Sequence, residues 1–103
     1  MRYLSHGEQR QLEIVVGLAS DPKILLLDEP AAGLSSGESS EMIQFLAQLD
    51  RSLAILLIEH DMDVVFDVAD HISVLHFGEV LEAGPREQIR HSEKVQQIYL
   101  GTA

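Results

Sequence analysis

The sequence predicts an α/β fold, a mainly parallel sheet with flanking helices and a β-hairpin near the carboxyl end. Two aliphatic runs, 24–27 and 53–58, are typical of strands buried on both faces, as in parallel sheets. Segments with apolar residues at helical spacing alternate with these runs. The chain has 103 residues, 46% of them hydrophobic, which is enough for one modest core. We find no repeat or linker and therefore expect one domain, or part of one, over 1–103.

The first helix and the first strand each have clear sequence signals. Ser5-x-x-Glu8 forms a capping box, which begins a helix by satisfying free backbone amides. Asp21-Pro22 ends that helix, and a strand follows over 24–28. The apolar positions expected to share one helix face are Leu12, Val15, Val16 and Ala19.

The middle of the chain repeats this pattern. Ser35-x-x-Glu38 is a second capping box and begins a second helix. Residues 53–58 then form the second buried strand. The predicted apolar face of the second helix consists of Met42, Phe45, Leu46 and Leu49.

The carboxyl-terminal third of the sequence is predicted to contain short strands and helices. Strands over 71–76 and 79–83 are joined at Phe77-Gly78, a plausible tight hairpin turn. Pro85 suits the first turn of a short helix, and Ser92 caps a last one. A short third helix before the hairpin is marked by Met62, Val65, Phe66 and Ala69, and the last helix carries Val95, Ile98 and Tyr99.

The charge balance excludes some classes of function. Seven Lys and Arg against seventeen Asp and Glu give a formal charge of −10, which argues against non-specific nucleic-acid binding. There is no cysteine, so disulfide and thiol chemistry are excluded. No apolar run approaches the roughly 20 residues of a spanning helix, and the start has no secretory pattern. We expect a soluble chain with no direct membrane insertion, linked to a membrane only through a partner protein.

Two adjacent carboxylates follow the first strand. Asp28 and Glu29 stand at its carboxyl end, where open α/β sheets place ligand sites. One carboxylate can hold a magnesium ion while its neighbour polarises a water, as nucleoside-triphosphate hydrolysis requires. The alternative is a strand that ends in a solvated acidic turn.

Three segments in order resemble the ATP-binding cassette (ABC) ATPases, the motor subunits of ABC transporters. Leu4-Ser5-His6-Gly7-Glu8 is similar to the family's signature motif, usually Leu-Ser-Gly-Gly-Gln. Residues 24–29 resemble the Walker B strand with its catalytic glutamate, and His60 has the position of the switch histidine. Residues 31–35 stand in the place of the D-loop, but its usual aspartate is Ser35 here, so we carry over no role for an aspartate.

The resemblance implies roles for particular residues. Asp28 would hold Mg²⁺ through water, Glu29 would polarise the attacking water, and His60 would donate to the γ-phosphate. The cofactors implied are ATP and Mg²⁺ in the complete domain. Ser5, Gly7 and Glu8 would bind the ATP held by a second ATPase subunit, since a helix amino terminus attracts anions. The capping box also explains Ser5 without any ligand.

Two family segments are not found in these residues: the phosphate loop Gly-x-x-x-x-Gly-Lys-Ser/Thr (Walker A) and the glutamine loop. The resemblance therefore implies a partial P-loop NTPase fold, the carboxyl-terminal half of a nucleotide-binding domain. The chain could be a truncated reading frame, a cloned fragment or a proteolytic remnant. In the family, the strand that feeds the phosphate loop lies between the strands matching 53–58 and 71–76. Without it the sheet could collapse, borrow a strand from a partner, or be marginally folded.

Two functional hypotheses remain open. Pro30-Ala31-Ala32-Gly33-Leu34 and 58–63 look most like the ATPases of branched-chain amino-acid importers, and lipopolysaccharide-export ATPases are similar too. The first hypothesis is therefore an ATPase that works at the inner face of the cell membrane with a second ATPase subunit and membrane permease subunits. The second is a non-catalytic remnant or interaction module that cannot bind ATP alone. Whether the chain itself is an enzyme stays undecided at this level.

Overall fold

The predicted order of helices and strands is confirmed by the computed structural model, which describes residues 3–100. Residues 1–2 and 101–103 of the expected domain lie outside the described part. The elements are α1 His6–Leu18, β1 Ile24–Asp28, α2 Ser36–Ala47, β2 Ala54–Ile58, α3 Met62–Val68, β3 His71–His76, β4 Glu79–Pro85, α4 Arg86–Arg90 and α5 Glu93–Val95, followed by a π-helical turn Gln96–Leu100. None of the helices within 3–100 is both long and apolar enough to cross a bilayer.

The strands form one parallel and one antiparallel pair, which confirms the predicted α/β class. β1 and β2 are parallel, in register from Ile24 opposite Ala54 to Asp28 opposite Ile58. β3 and β4 form the predicted hairpin around Phe77 and Gly78, whose φ angles of 50° and 78° are typical of a type I′ turn. β4 runs to Pro85, beyond the predicted 79–83. Pro85 is consequently the residue before α4 and not part of its first turn.

The two pairs of strands remain separate sheets within the described residues. A groove of about 1000 Å³ lies along β2 and β3 and is lined mainly by apolar side chains of these strands and of α3. The three outcomes considered for a missing central strand did not include this arrangement, in which the sheet is split into two separate pairs of strands.

The hydrophobic core around β1 contains Ile14, Leu25, Leu27, Met42 and Leu46. Met42 is fully buried and Leu46 is 3% exposed, so the predicted face of α2 is confirmed. α1 contributes Ile14, and α2 covers the same face of the sheet. This packing places the amino termini of α1 and α2 next to each other, because Gly7 on α1 lies against Glu38 on α2.

Two predictions about burial are wrong. Leu12, Val15 and Val16 are 51%, 48% and 66% exposed, because α1 turns its Gly7 and Ile14 side towards the core. β1 and β2 were expected to be buried on both faces, but only one face is covered. Helices cover a single face of this sheet in the described residues, so alternate side chains of both strands face outward.

A second core packs around the hairpin. It consists of Val65, Ile72, Val74, Ile89 and Val95. The predicted cap at Ser92 is confirmed, since its hydroxyl accepts the Val95 amide. The last helix changes from α to π geometry at Gln96, which the apolar spacing alone did not indicate.

The uncovered sheet face predicts self-association of this chain. Ile24, Leu26, Leu56 and Ile58 lie on one face of β1–β2 and are each more than half exposed. Apolar faces and free strand edges of this kind favour pairing with another chain. We expect concentration-dependent oligomers in sedimentation velocity.

A charged residue placed on the exposed face of β1–β2 tests whether this face causes the association. Leu26→Lys is expected to shift the chain towards monomer, because association would bury the new ammonium. Val80→Lys, at a hairpin residue that is 61% exposed, is the matched control and should leave association unchanged. A stable monomer of the unmodified chain at high concentration would contradict the prediction.

Candidate functional site

The site lies at the carboxyl ends of the paired strands β1 and β2. Asp28 ends β1 with an exposed side chain, and Glu29 follows it in a left-handed conformation with φ of 49°. Such a backbone is uncommon for a residue with a side chain and is held by surrounding contacts. The Glu29 amide donates to the Ile58 carbonyl at 2.7 Å, which extends the parallel pairing by one bond. This bond fixes the point at which the Glu29 side chain leaves the sheet.

The carboxylate of Glu29 contacts the imidazole of His60, a residue 31 positions further along the chain. Glu29 Oε1 and His60 Nδ1 form the contact, with the two side chains 44% and 75% exposed. Because the acceptor is a carboxylate, Nδ1 is the protonated nitrogen of the pair. The hydrogen bond to Glu29 and the charge of Glu29 raise the pKa of His60, with smaller contributions from the charges of Glu59 and Asp61. The structure thus brings both predicted catalytic residues together.

Glu59 joins the loops that follow the two strands. Its side chain is 1% exposed. Oε1 accepts the amides of His60 and Asp61 at 3.1 and 3.4 Å, and Oε2 accepts the Ala31 amide at 3.3 Å. Potential ligand atoms of Glu29, Glu59 and His60 lie within 4.8 Å of one another. We assign no metal to these three residues, because backbone amides occupy both oxygens of Glu59.

The amino terminus of α1 contains the three residues predicted to bind nucleotide. The capping box of Ser5 and Glu8 is confirmed: Ser5 Oγ accepts the Glu8 amide at 3.1 Å, and Glu8 Oε1 accepts the Ser5 amide at 3.0 Å. Both side chains are exposed, whereas Gly7 is buried. The Gly7 amide donates to Glu38 Oε2 at 2.8 Å. An anion at this terminus would therefore compete with Glu38 for the Gly7 amide.

Glu38 serves two helix amino termini at once. Oε2 accepts the Gly7 amide, and Oε1 accepts the Ser35 amide at 3.2 Å as part of the second predicted capping box. These two backbone bonds lower the pKa of Glu38, with a smaller contribution from the charge of His6. A Cβ added at Gly7 would stand 3.1 Å from Glu38 Oε2, so glycine permits this close approach.

Arg10 connects α1 to the loop after β1. Its Nη1 donates to the carbonyls of Glu29 and Pro30 at 3.1 and 3.3 Å, and its Nη2 donates to the carbonyl of Ala32 at 3.2 Å. No sequence pattern indicated a role for Arg10 or Glu59, and Glu38 was predicted only as a capping residue. Backbone carbonyls and amides that bond to a distant side chain have no sequence signature, so these contacts become visible only in three dimensions.

The raised pKa of His60 predicts a pH dependence. The bond to Glu29 is at full strength below the ordinary His pKa of about 6.5 and weakens as pH rises through the higher pKa of the folded state. NMR titration of the ring should therefore give a His60 pKa above the ordinary value, and Glu29→Gln should lower it. Glu87→Gln, beside His91 at 3.7 Å, is the matched control and should leave His60 unaffected. A His60 pKa at or below the ordinary value would contradict the contact.

The comparisons with known proteins identify relatives of this chain. The ABC transporter family profile matches residues 1–32, which include the signature-like segment and the two carboxylates after β1. The chain is 44% identical over 102 residues to the high-affinity branched-chain amino acid transport ATP-binding protein BraF of Pseudomonas aeruginosa, covering 97% of the chain and 40% of BraF. Along nearly its whole length the chain is therefore similar to the ATP-binding proteins of ABC transporters.

More distant ABC proteins are similar in structure or in sequence. The ADP conformation of MJ1267, an ATP-binding cassette of an ABC transporter, superimposes with a TM-score of 0.81 at 30% identity, over 96% of this chain and 41% of that one. The lipopolysaccharide export ATP-binding protein LptB of Haemophilus influenzae is 35% identical over 99 residues, 95% of the chain and 41% of LptB. The chain thus spans about two fifths of the length of the curated relatives it matches.

Proposed function

We propose that this chain acts as part of an ATP-hydrolysing ABC transporter subunit, as the carboxyl-terminal part of its nucleotide-binding domain. The contact between Glu29 and His60, beside Asp28 at the ends of two parallel strands, carries the proposal. This edge of an α/β sheet is where ligands bind. It presents an acceptor for a water proton and a potential donor for a phosphate oxygen side by side.

Glu29 orients the attacking water and accepts its proton in this mechanism. Its carboxylate is 44% exposed, so a water can reach it. The hydrogen bond to Glu29 occupies Nδ1 of His60, so the other ring nitrogen, Nε2, remains for a different partner. Because the contact raises the pKa of His60, the protonated ring is favoured, and Nε2 then donates to an oxygen of the γ-phosphate. Positioning and electrostatic stabilisation of this kind are most of what catalyses phosphoryl transfer.

The donor set fits a hard cation. Asp28 offers an exposed carboxylate at the strand end, and oxygen ligands of this type suit Mg²⁺. Asp28 would hold the ion, directly or through water. When bound, Mg²⁺ would neutralise charge on the ATP phosphates, which an acidic chain with a net charge of −10 does not do by itself.

The amino terminus of α1 serves a second subunit in this proposal. Ser5, Gly7 and Glu8 would bind the ATP held by that subunit, and the pair of subunits would drive membrane permease partners at the inner face of the membrane. The helix terminus supplies backbone amides and the positive end of the helix dipole. Release of the Gly7 amide by Glu38 would accompany binding, since the two acceptors compete for one donor.

Branched-chain amino acids are the transported substrate we favour. BraF, named for their transport, is 44% identical, whereas LptB, named for lipopolysaccharide export, is 35% identical. The alternative from a different class is a non-catalytic module, which the chain's own residues also allow because they include no Walker A sequence.

A hybrid protein tests the proposal. In the hybrid, the matching 102 residues of BraF are replaced by those of this chain. We expect the hybrid to hydrolyse ATP and to restore branched-chain amino-acid uptake in a P. aeruginosa strain without BraF. Hydrolysis without uptake would overturn the substrate assignment, and a folded hybrid with no hydrolysis would favour the non-catalytic alternative.

The chain alone is expected to bind ATP weakly or not at all. Walker A supplies most backbone and lysine contacts to the β- and γ-phosphates, and no such sequence is present here. Titration of labelled ATP with Mg²⁺ measures this directly, with the hybrid as the positive control. A dissociation constant in the low micromolar range for the chain alone would show that other residues bind the phosphates.

A further inference from the structure

The loop after β1 has an unusual backbone that the pairing of the strands does not explain. Glu29 has φ of 49° and Gly33 has φ of 77°, and Pro30 between them is buried. A left-handed glutamate is strained and persists only where surrounding groups hold it. The Ala32 amide donates to the Glu29 carbonyl at 3.0 Å and the Leu34 amide to the Ala31 carbonyl at 3.2 Å, which leaves the carbonyls of Pro30 and Ala32 for donors from outside the loop.

Arg10 supplies those bonds from α1. Its guanidinium donates to three carbonyls of one loop, those of Glu29, Pro30 and Ala32, at 3.1 to 3.3 Å. A planar fork of donors can serve three acceptors together, whereas the single ammonium of a lysine cannot match that geometry. The Arg10 side chain reaches the loop in a partly buried position, where lost hydrogen bonds are costly.

We propose that Arg10 is a positioning residue for Glu29, holding the strained loop so that the Glu29 carboxylate meets His60. The catalytic consequence of this positioning rests on the proposed function, whereas the contacts that Arg10 makes do not depend on it. Arg10 lies one turn after Gly7 on the same helix. A tilt of α1 at its amino terminus is therefore transmitted to the loop that carries Glu29, which links the two ends of the site mechanically.

The test uses this chain without nucleotide, so it does not depend on ATPase activity. Arg10→Gln removes the charge and the fork, and Arg10→Lys keeps the charge but not the fork. The readouts are the amide resonances of 29–34 and the NMR titration of His60. Arg51→Gln is the matched control, since Arg51 is a surface residue paired with Asp70 at 3.2 Å.

The direction in which the pKa of His60 changes distinguishes a positioning role of Arg10 from the simple loss of its charge. Removing a nearby positive charge raises the pKa of a histidine, whereas loss of the Glu29 contact lowers it. We expect both Arg10 variants to move the loop resonances and to lower the pKa of His60, and Arg51→Gln to do neither. Unmoved loop resonances, or a His60 pKa that is unchanged or raised in Arg10→Lys, would overturn the proposal.

Activity of the hybrid provides a second readout. Arg10→Lys is expected to lower kcat about tenfold to a hundredfold with KM nearly unchanged, because a small misplacement of a reacting group has effects of this size. Circular dichroism and denaturant unfolding establish that the variant is folded. A rise in KM with unchanged kcat would mean that Arg10 affects nucleotide binding and not the position of Glu29. Loss of hydrolysis in the unmodified hybrid counts against the proposed function alone, since the measurements on the chain still decide the role of Arg10.

Discussion

Glu29→Gln in the BraF hybrid is expected to lower ATP turnover by about two to three orders of magnitude. Glutamine has nearly the same size, but it cannot accept a proton from the attacking water and lacks the charge that polarises it. A positioned general base typically contributes a factor of this size. Nucleotide binding should persist, because Asp28 and the phosphate loop of the hybrid are unchanged. Steady-state hydrolysis and an ATP-binding titration measure the two effects separately.

The matched control for this substitution is Glu41→Gln on α2, where the side chain is exposed. It removes one negative charge without touching the site and should leave turnover unchanged. Near-parental hydrolysis by Glu29→Gln would show that Glu29 is a strand-end carboxylate and that another group activates the water. Loss of ATP binding with a native circular dichroism spectrum would instead show that the roles given to Asp28 and Glu29 are wrong.

Ser5→Asp in the same hybrid is expected to reduce hydrolysis about a hundredfold while Ser5→Asn has a much smaller effect. Both side chains can cap α1 as serine does, so the helix should remain intact. Only aspartate places a negative charge at the proposed phosphate site. A carboxylate about 6 Å from one phosphate charge, at an effective dielectric constant of about 20, costs roughly 3 kcal/mol, or about two orders of magnitude.

The comparison of aspartate with asparagine decides between the two readings of Ser5. Equal hydrolysis by the two variants would show that Ser5 only caps its helix. If Ser5 serves the ATP of the other subunit, Ser5→Asp should leave nucleotide binding by a monomeric preparation largely intact. A loss of binding in the monomer would indicate that Ser5 acts on the nucleotide of its own subunit.

The capping boxes and the aliphatic runs could be predicted because their signals are local. Ser5 with Glu8, and Ser35 with Glu38, satisfy amides within four residues of each other, so the sequence pattern contains the whole interaction. The same holds for the hairpin turn at Phe77-Gly78, where a glycine with positive φ completes the turn. These short-range interactions fix where helices and strands begin.

Burial was predicted less well, because it depends on what covers each face. α1 has apolar residues on more than one side, and the spacing of Leu12, Val15 and Val16 was as helical as that of the side that packs. The choice of Ile14 follows from contact with β1 and α2, which spacing cannot reveal. Similarly, the sequence of β1 predicted burial on both faces, yet Leu26 is 70% exposed because helices cover one face only.

The sequence by itself determined the order of elements and the α/β class, since these depend on local pattern. It also predicted Asp28 and Glu29 as site residues from their place after the first strand, whereas His60 was predicted only from the resemblance to the ABC ATPases. The tertiary structure alone decided that Glu29 meets His60, that Glu38 occupies the Gly7 amide and that Arg10 holds the loop after β1. Each of these contacts joins groups from different elements, up to 31 residues apart in the chain. Only the packing of α1, α2 and the parallel strands brings such groups within hydrogen-bond distance.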